Sequence, residues 1–190
     1  RYHFDLTTNL DRRIPFVPGF VYIYLICYLF WIVNYVLAAG NGKDYFYRYL
    51  SADLTARLIC FLFFVFFPTT NTRPELVGNS LSVHLLGWLY SIDKPANLLP
   101  SIHCMNSWFC YIAVRGRKDI PRWYRIFSFV FAWLIGLSTV FIRQHVVLDI
   151  AAGFLLAELM WQFFGKTKYY KNVRQFYEKI NGKIREKLLK

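Results

Sequence analysis

Three short polar groups in this chain carry residue types suited to phosphorus chemistry, and each interrupts an otherwise apolar stretch. The first is Arg143-Gln144-His145, with Asp149 four residues beyond the histidine. If this stretch is helical, His145 and Asp149 lie on one face, one turn apart. A carboxylate that accepts the proton of one imidazole nitrogen frees the other as a nucleophile and stabilises the cation that forms on attack. An ionisable group inside an apolar span is costly and normally has such a partner. The second group, Pro100-Ser101-Ile102-His103, reads as the opening of a helix. Proline is favoured there, and the free N–H groups of a helix start form an anion site. Ser101 could cap that helix or touch the anion, and His103 could donate a proton. The third, Thr72-Arg73-Pro74, supplies a guanidinium whose planar fork fits phosphate oxygens. Taken singly, the three also read as a structural His–Asp hydrogen bond, a capped helix and a snorkelling arginine. Their convergence on one face carries the functional reading.

The elements that must position these residues are apolar runs. The chain has 190 residues, of which 56% are hydrophobic and 21% aromatic. That composition exceeds a soluble domain's, and the excess comes in blocks of about 20 residues, the length that crosses a bilayer. Five runs are expected to span, over 17–39, 52–67, 101–114, 123–142 and 146–164, with Gly and Pro between them. The expected organisation is a polar segment over 1–16, a transmembrane catalytic domain over 17–165 and a basic, helical tail over 166–190. Residues 40–51 read as a short wet loop, and 81–90 as a short helix lying in the interface. The fold class is therefore all-α, a polytopic transmembrane bundle.

The formal net charge of +12 gathers at the ends of the runs and in the tail, which suits anionic lipid headgroups and excludes a nucleic-acid reading. The 115–125 loop and the tail carry the densest Lys and Arg and are expected on the cytoplasmic side. Segments 1–16, 69–99 and 143–145, with all three polar groups, then fall on the opposite face. An outside N-terminus with five spans predicts one further helix ahead of Arg1. Cys27, Cys60, Cys104 and Cys110 lack metal-ligand spacing and read as small apolar residues, so neither metal nor cofactor is expected. Glu158 and Asn34 could pair between helices.

Arg73-Pro74, then Pro100-Ser101-Ile102-His103, then Ser138 followed by His145 and Asp149, resembles the type 2 phosphatidic acid phosphatase superfamily over about 17–165. The resemblance implies a six-helix membrane enzyme acting on lipid phosphates. His145 would attack phosphorus to form a phosphohistidine, Asp149 would orient it, and His103 would protonate the leaving oxygen. Arg73 and Ser101 would bind phosphate oxygens. The chain departs from the family pattern at Phe66, where the family has Lys, at Ile102, where it has Gly, and at Thr139, where it has Arg. Arg143 and Lys94, on the same face, are the candidate replacements for the absent cations. The expected reaction is hydrolysis of a lipid mono- or diphosphate, such as a polyprenyl diphosphate or a phosphatidic acid-like molecule. A headgroup phosphotransferase with an alcohol acceptor shares every residue named, and a non-catalytic lipid-binding scaffold is the alternative of another class.

Overall fold

The computed structural model describes residues 2–188, almost all of them in helices or the turns that join them. Helix α1 (Asn9–Arg13) is followed by a 3₁₀ turn over Pro18–Phe20 and by α2 (Val21–Ala39) and α3 (Lys43–Phe66). Then come α4 (Leu81–Ile92), α5 (Ile102–Val114), α6 (Arg122–Phe141), α7 (Val147–Thr167) and α8 (Tyr170–Leu188). Helices α2, α3, α6 and α7 are long and apolar enough to cross a membrane. Their outward faces carry exposed Leu29, Ile32, Val36, Phe61, Trp133 and Leu155. So extensive an apolar exterior fits lipid rather than water. The polytopic helical bundle expected from the sequence is the architecture found.

The remaining expected span is the exception in length. Helix α5 has 13 residues, about 20 Å of rise against a hydrocarbon core of about 30 Å. It compensates by being central: Cys104, Met105, Phe109, Cys110, Ile112, Ala113 and Val114 are all buried. It packs against α2, α6 and α7, and so forms the axis on which the other helices are assembled.

The second run starts earlier than expected. Residues 43–51 are not a wet loop but the first turns of α3. Gly42, at φ +83°, turns the chain into the helix, and Asp44 lies in the first turn, where a negative charge suits the helix dipole. Arg48 lies over the Trp161 ring, 3.6 Å from its centroid, and donates to the Trp161 carbonyl at 2.9 Å. Helix α8 then lies against α3, tied by Arg174 to Asp44 at 2.7 Å and by Lys43 to Glu178 at 3.5 Å. Within the spans, Arg57 donates to Asp53 at 2.9 Å and to Asn106 at 2.9 Å. Glu158 and Asn34 do not pair with each other. Glu158 takes a two-pronged ion pair from Arg115 at 2.9 and 3.0 Å, while Asn34 donates to the Phe30 carbonyl and the Tyr124 hydroxyl.

The N-terminal segment is more structured than its polarity suggested. A strand β1 (Phe4–Asp5) pairs in parallel with β2 (Thr69–Thr70), which ties the start of the chain to the segment after α3. Thr8 and Asp11 cap α1 reciprocally. The Asp11 carboxylate also accepts the Val147 amide at 2.8 Å and so caps α7, which follows the candidate nucleophile. Asp11 is 1% exposed. Burial alone would raise its pKa, but the Thr8 hydroxyl and the amides of Val147 and Thr8 hold it below its ordinary value.

Replacing Asp11 with Ala should therefore cost about 1–2 kcal/mol of stability at neutral pH, the usual size of a lost cap. Because the folded-state pKa is lowered, the carboxylate's ionic contribution is present above the ordinary carboxylate range and disappears as pH falls through the folded value. Thermal unfolding in detergent at a series of pH values checks this. The gap between wild type and variant should narrow in acid; a gap independent of pH refutes the assignment.

Candidate active site

One end of the bundle collects every polar group singled out from the sequence. Helix α6 ends at Phe141, and the chain turns through Ile142–Val146 into α7. Arg143 makes that turn with φ +54°, a left-handed conformation uncommon for a side-chain-bearing residue. The turn is clamped from several sides. The Thr139 carbonyl accepts the amides of both Gln144, at 2.8 Å, and His145, at 3.1 Å. Tyr90 donates to the Ile142 carbonyl at 2.6 Å, and the Asn71 amide donates to the Arg143 carbonyl at 3.0 Å. His145 is thus presented from a rigid corner.

The expected His–Asp pair is present. His145 Nδ1 lies 3.2 Å from Asp149 Oδ2, and the same oxygen accepts the Val146 amide at 3.0 Å. Asp149 is fully buried and His145 nearly so, at 8% exposed. Holding Nδ1 in this way leaves Nε2 as the nitrogen able to attack. Ser101 caps α5 by accepting the Cys104 amide at 3.3 Å, and its own amide donates to the Asp149 carbonyl at 3.2 Å. That second bond joins the start of α5 to the first turn of α7. The His103 and His145 ring centroids are consequently 5.9 Å apart.

Both rings line one cavity of about 230 Å³, closed by Phe64, Asp93, Asn97, Ile102 and Gln144. His103 has a support that sequence reasoning missed. Its Nε2 is 2.7 Å from the Tyr24 hydroxyl, which is also 3.2 Å from Asp93 Oδ2. The Tyr24 and His103 rings lie 4.6 Å apart. Each histidine therefore has a carboxylate behind it, His145 directly and His103 through a phenol. No spacing in the sequence links residues 24, 93 and 103, which come from α2, the loop after α4, and α5. Gln144 was also passed over. It lines the histidine cavity, and its side-chain Nε2 is buried with no partner among the described residues.

The candidate phosphate ligands divide. Arg73 donates to the Asp93 carbonyl at 2.6 Å and, through its other terminal nitrogen, to Gln144 Oε1. Its charge thus stands behind Gln144 rather than in the cavity lining. The Arg143 side chain turns to the N-terminal segment, donating to the carbonyls of Asp11 at 2.5 Å and Ile14 at 2.6 Å. Ser101 is fully buried in its cap, and Lys94 is exposed and is not among the residues lining the histidine cavity. Among the described residues no three His, Cys, Asp or Glu side chains are grouped as metal ligands. A nucleophile with a backing carboxylate, facing a second imidazole across a small cavity with amide donors, can transfer an acyl or phosphoryl group.

A family model described as the PAP2 superfamily matches residues 69–172. No curated protein and no solved structure gives a match.

The crossing of α5 and α7 generates a test of the geometry. A Cβ on Gly153 would stand 2.6 Å from the Ser101 carbonyl oxygen and 3.1 Å from the Met105 amide, both backbone atoms that cannot yield cheaply. Gly153→Ala should cost roughly 1–3 kcal/mol of stability, as overpacking does, and should separate the histidines. At Gly136 the nearest contacts are side chains, Ile150 at 3.1 Å and Phe154 at 3.2 Å, so Gly136→Ala should be milder. Thermal unfolding of both variants decides it; equal tolerance would mean that the close crossing does not hold the site together.

Proposed function

Because the chain belongs to the PAP2 superfamily, which includes lipid phosphatases and related phosphotransferases, we propose that it is a membrane lipid phosphatase working through a phosphohistidine. The observation that best supports this reading is the pair of carboxylate-backed imidazoles, His145 on Asp149 and His103 on Tyr24 and Asp93, 5.9 Å apart across one cavity.

In the proposed reaction Nε2 of His145 attacks phosphorus, and the bond from phosphorus to the lipid oxygen breaks. His103 delivers a proton to that oxygen, so a neutral lipid alcohol leaves. In the second half His103 takes a proton from water, the water oxygen attacks phosphorus, and the phosphorus–nitrogen bond breaks to release phosphate. Asp149 stabilises the imidazolium character of His145 during attack. Negative charge on the phosphoryl oxygens would meet the first amides of α5, the Gln144 amide and the Arg73 charge behind it. Replacing the water by an alcohol gives the phosphotransferase reading without changing a residue. The lipid would enter from the bilayer on the non-cytoplasmic side, while the basic loop and tail face anionic headgroups across the membrane.

Phosphate release from lipid phosphates in detergent tests the proposal. His145→Ala should abolish it, and Asp149→Asn should slow turnover roughly a hundredfold or more, as when the carboxylate of a catalytic triad is neutralised. Wild-type rates in His145→Ala would sink the mechanism. Release that is absent in wild type and appears as headgroup transfer once an alcohol acceptor is supplied would select the phosphotransferase.

A second measurement isolates the support of His103. Tyr24→Phe should lower kcat/KM about tenfold on an alkyl phosphate, whose leaving oxygen needs a proton, and far less on a p-nitrophenyl phosphate, whose leaving group departs as a stable anion. Equal losses on the two substrates would reduce Tyr24 to a packing residue.

A further inference from the structure

Behind the Gln144 wall lies a second cavity, of about 470 Å³, lined by Asp5, Thr7, Arg12, Thr72, Arg73, Pro74 and Arg143. Three arginines line one space, with a single acid, Asp5, among the lining residues. Like charges gathered in this way repel one another unless an anion lies between them. Among the described residues no carboxylate forms a direct ion pair with any of the three. The Asp11 carboxylate is spent on the amides of Thr8 and Val147 and on the Thr8 hydroxyl, and Arg73 and Arg143 meet Asp93 and Asp11 only through backbone carbonyls.

A second observation is independent of charge. Two side-chain donors lining this cavity, the Thr7 hydroxyl and Nε of Arg73, are buried with no hydrogen-bond partner among the described residues. Buried donors without acceptors are costly, and an acceptor bound against these residues would relieve that cost. Asp5 is the one lining acid; it accepts the Thr7 amide at 2.8 Å, which leaves the Thr7 hydroxyl unmatched.

We propose that this cavity is a second oxyanion site, separate from the histidine cavity and built jointly by the N-terminal segment and the turn ahead of His145, which takes a phosphate group that is not the one attacked. A tetrahedral oxyanion accepts in several directions at once, as three guanidinium groups and a hydroxyl require. The Arg73–Gln144 hydrogen bond is the wall common to the two cavities, so a substrate with a further phosphate could reach both. The same chemistry is offered by free phosphate. The substrate version rests on the hydrolase reading of His145, whereas the binding site itself does not.

The probe is inorganic phosphate, titrated by calorimetry into the full chain in detergent, with Arg12→Gln and Thr7→Val as variants outside the reacting groups. Phosphate affinity should fall about tenfold in Arg12→Gln through loss of a charged donor, and measurably in Thr7→Val, with kcat on a lipid monophosphate unchanged in both. A hydroxyl with no ligand would instead be replaced by valine without effect on phosphate binding. The source of the anion is read from KM. If the site serves the substrate head, Arg12→Gln raises KM about tenfold for a lipid diphosphate and leaves the monophosphate unaffected. If it serves free phosphate, both KM values stand and only the calorimetric affinity falls. Phosphate binding that survives both variants but is lost in His103→Ala would belong to the histidine cavity and overturn the proposal. Should the wild-type chain hydrolyse neither lipid, the hydrolase reading fails while the calorimetric arm still decides the site.

Discussion

The close approach of α5 to α7 is the contact on which the rest of the site depends. Gly153 faces the Ser101 carbonyl and the Met105 amide with no room for a Cβ, and one turn earlier the Ser101 amide donates to the Asp149 carbonyl at 3.2 Å. In an apolar medium an unmade backbone bond is more costly than in water, so this link is a strong constraint. It fixes the start of α5, which carries His103, against the first turn of α7, which carries Asp149 and follows His145. The shortness of α5 follows from the same geometry. Its job is to reach the interface where α7 begins, and α2, α3, α6 and α7 supply the crossing length.

The charged groups buried in the bundle are matched to specific partners. Inside the bundle, Arg57 is matched to Asp53, Tyr35 and Asn106, with Tyr35 also on Asp53 at 2.9 Å. Toward the other end Glu158 is matched to Arg115, Trp108 and Gln162. Charges removed from water need such partners, and these networks have them. At the end that carries His103 and His145 the Gln144 amide nitrogen, one Asp149 oxygen, Arg73 Nε and the Thr7 hydroxyl are buried without partners among the described residues, and so are single atoms of Asn34, Tyr49, Ser51, Asn71, Arg125 and Ser128. Of these residues, Gln144, Arg73 and Thr7 line one of the two cavities, and Asp149 backs His145. Open hydrogen-bonding capacity at a cavity is what a polar ligand would use.

What could be read from the sequence was set by local physics. The spans announced themselves because lipid permits few backbone structures, and His145 with Asp149 was visible from their four-residue spacing, although His145 sits in the turn ahead of α7 and Asp149 in its first turn. The opening of α5 was readable from Pro100 and Ser101 for the same local reason. Invisible were the pieces brought together by tertiary packing. Tyr24 looked like one aromatic among many in an apolar run, Asp93 like a loop residue, and Gln144 like a spacer. Asp11 carried a weak local signal, the Thr8-x-x-Asp11 capping pattern, but nothing local ties it to Val147. The start of α3 was misjudged because its first turns are amphipathic rather than apolar, and their burial comes from Trp161 and α8.

The departures from the family pattern bear on how charge is handled. Thr139, where the family has Arg, is fully buried, its hydroxyl returned to the Gly136 carbonyl and its own carbonyl holding the amides of Gln144 and His145. A long cation cannot occupy that position without disturbing the corner that presents His145. Phe66, where the family has Lys, is 72% exposed at the end of α3, in keeping with contact to lipid rather than to the histidine cavity. The cavity around His103 and His145 is lined by the two imidazoles, the amides of Asn97 and Gln144, Asp93 and apolar side chains, with the Arg73 guanidinium one residue behind. The chain's positive charge on this face instead lies in the arginines of the adjoining cavity. On the proposed reading, a site so divided would handle the attacked phosphorus through short, oriented donors and would draw its long-range attraction for anionic substrates from next door. That separation of positioning from steering is chemically workable because oriented dipoles act at contact distance, while guanidinium charges act through the whole polar face.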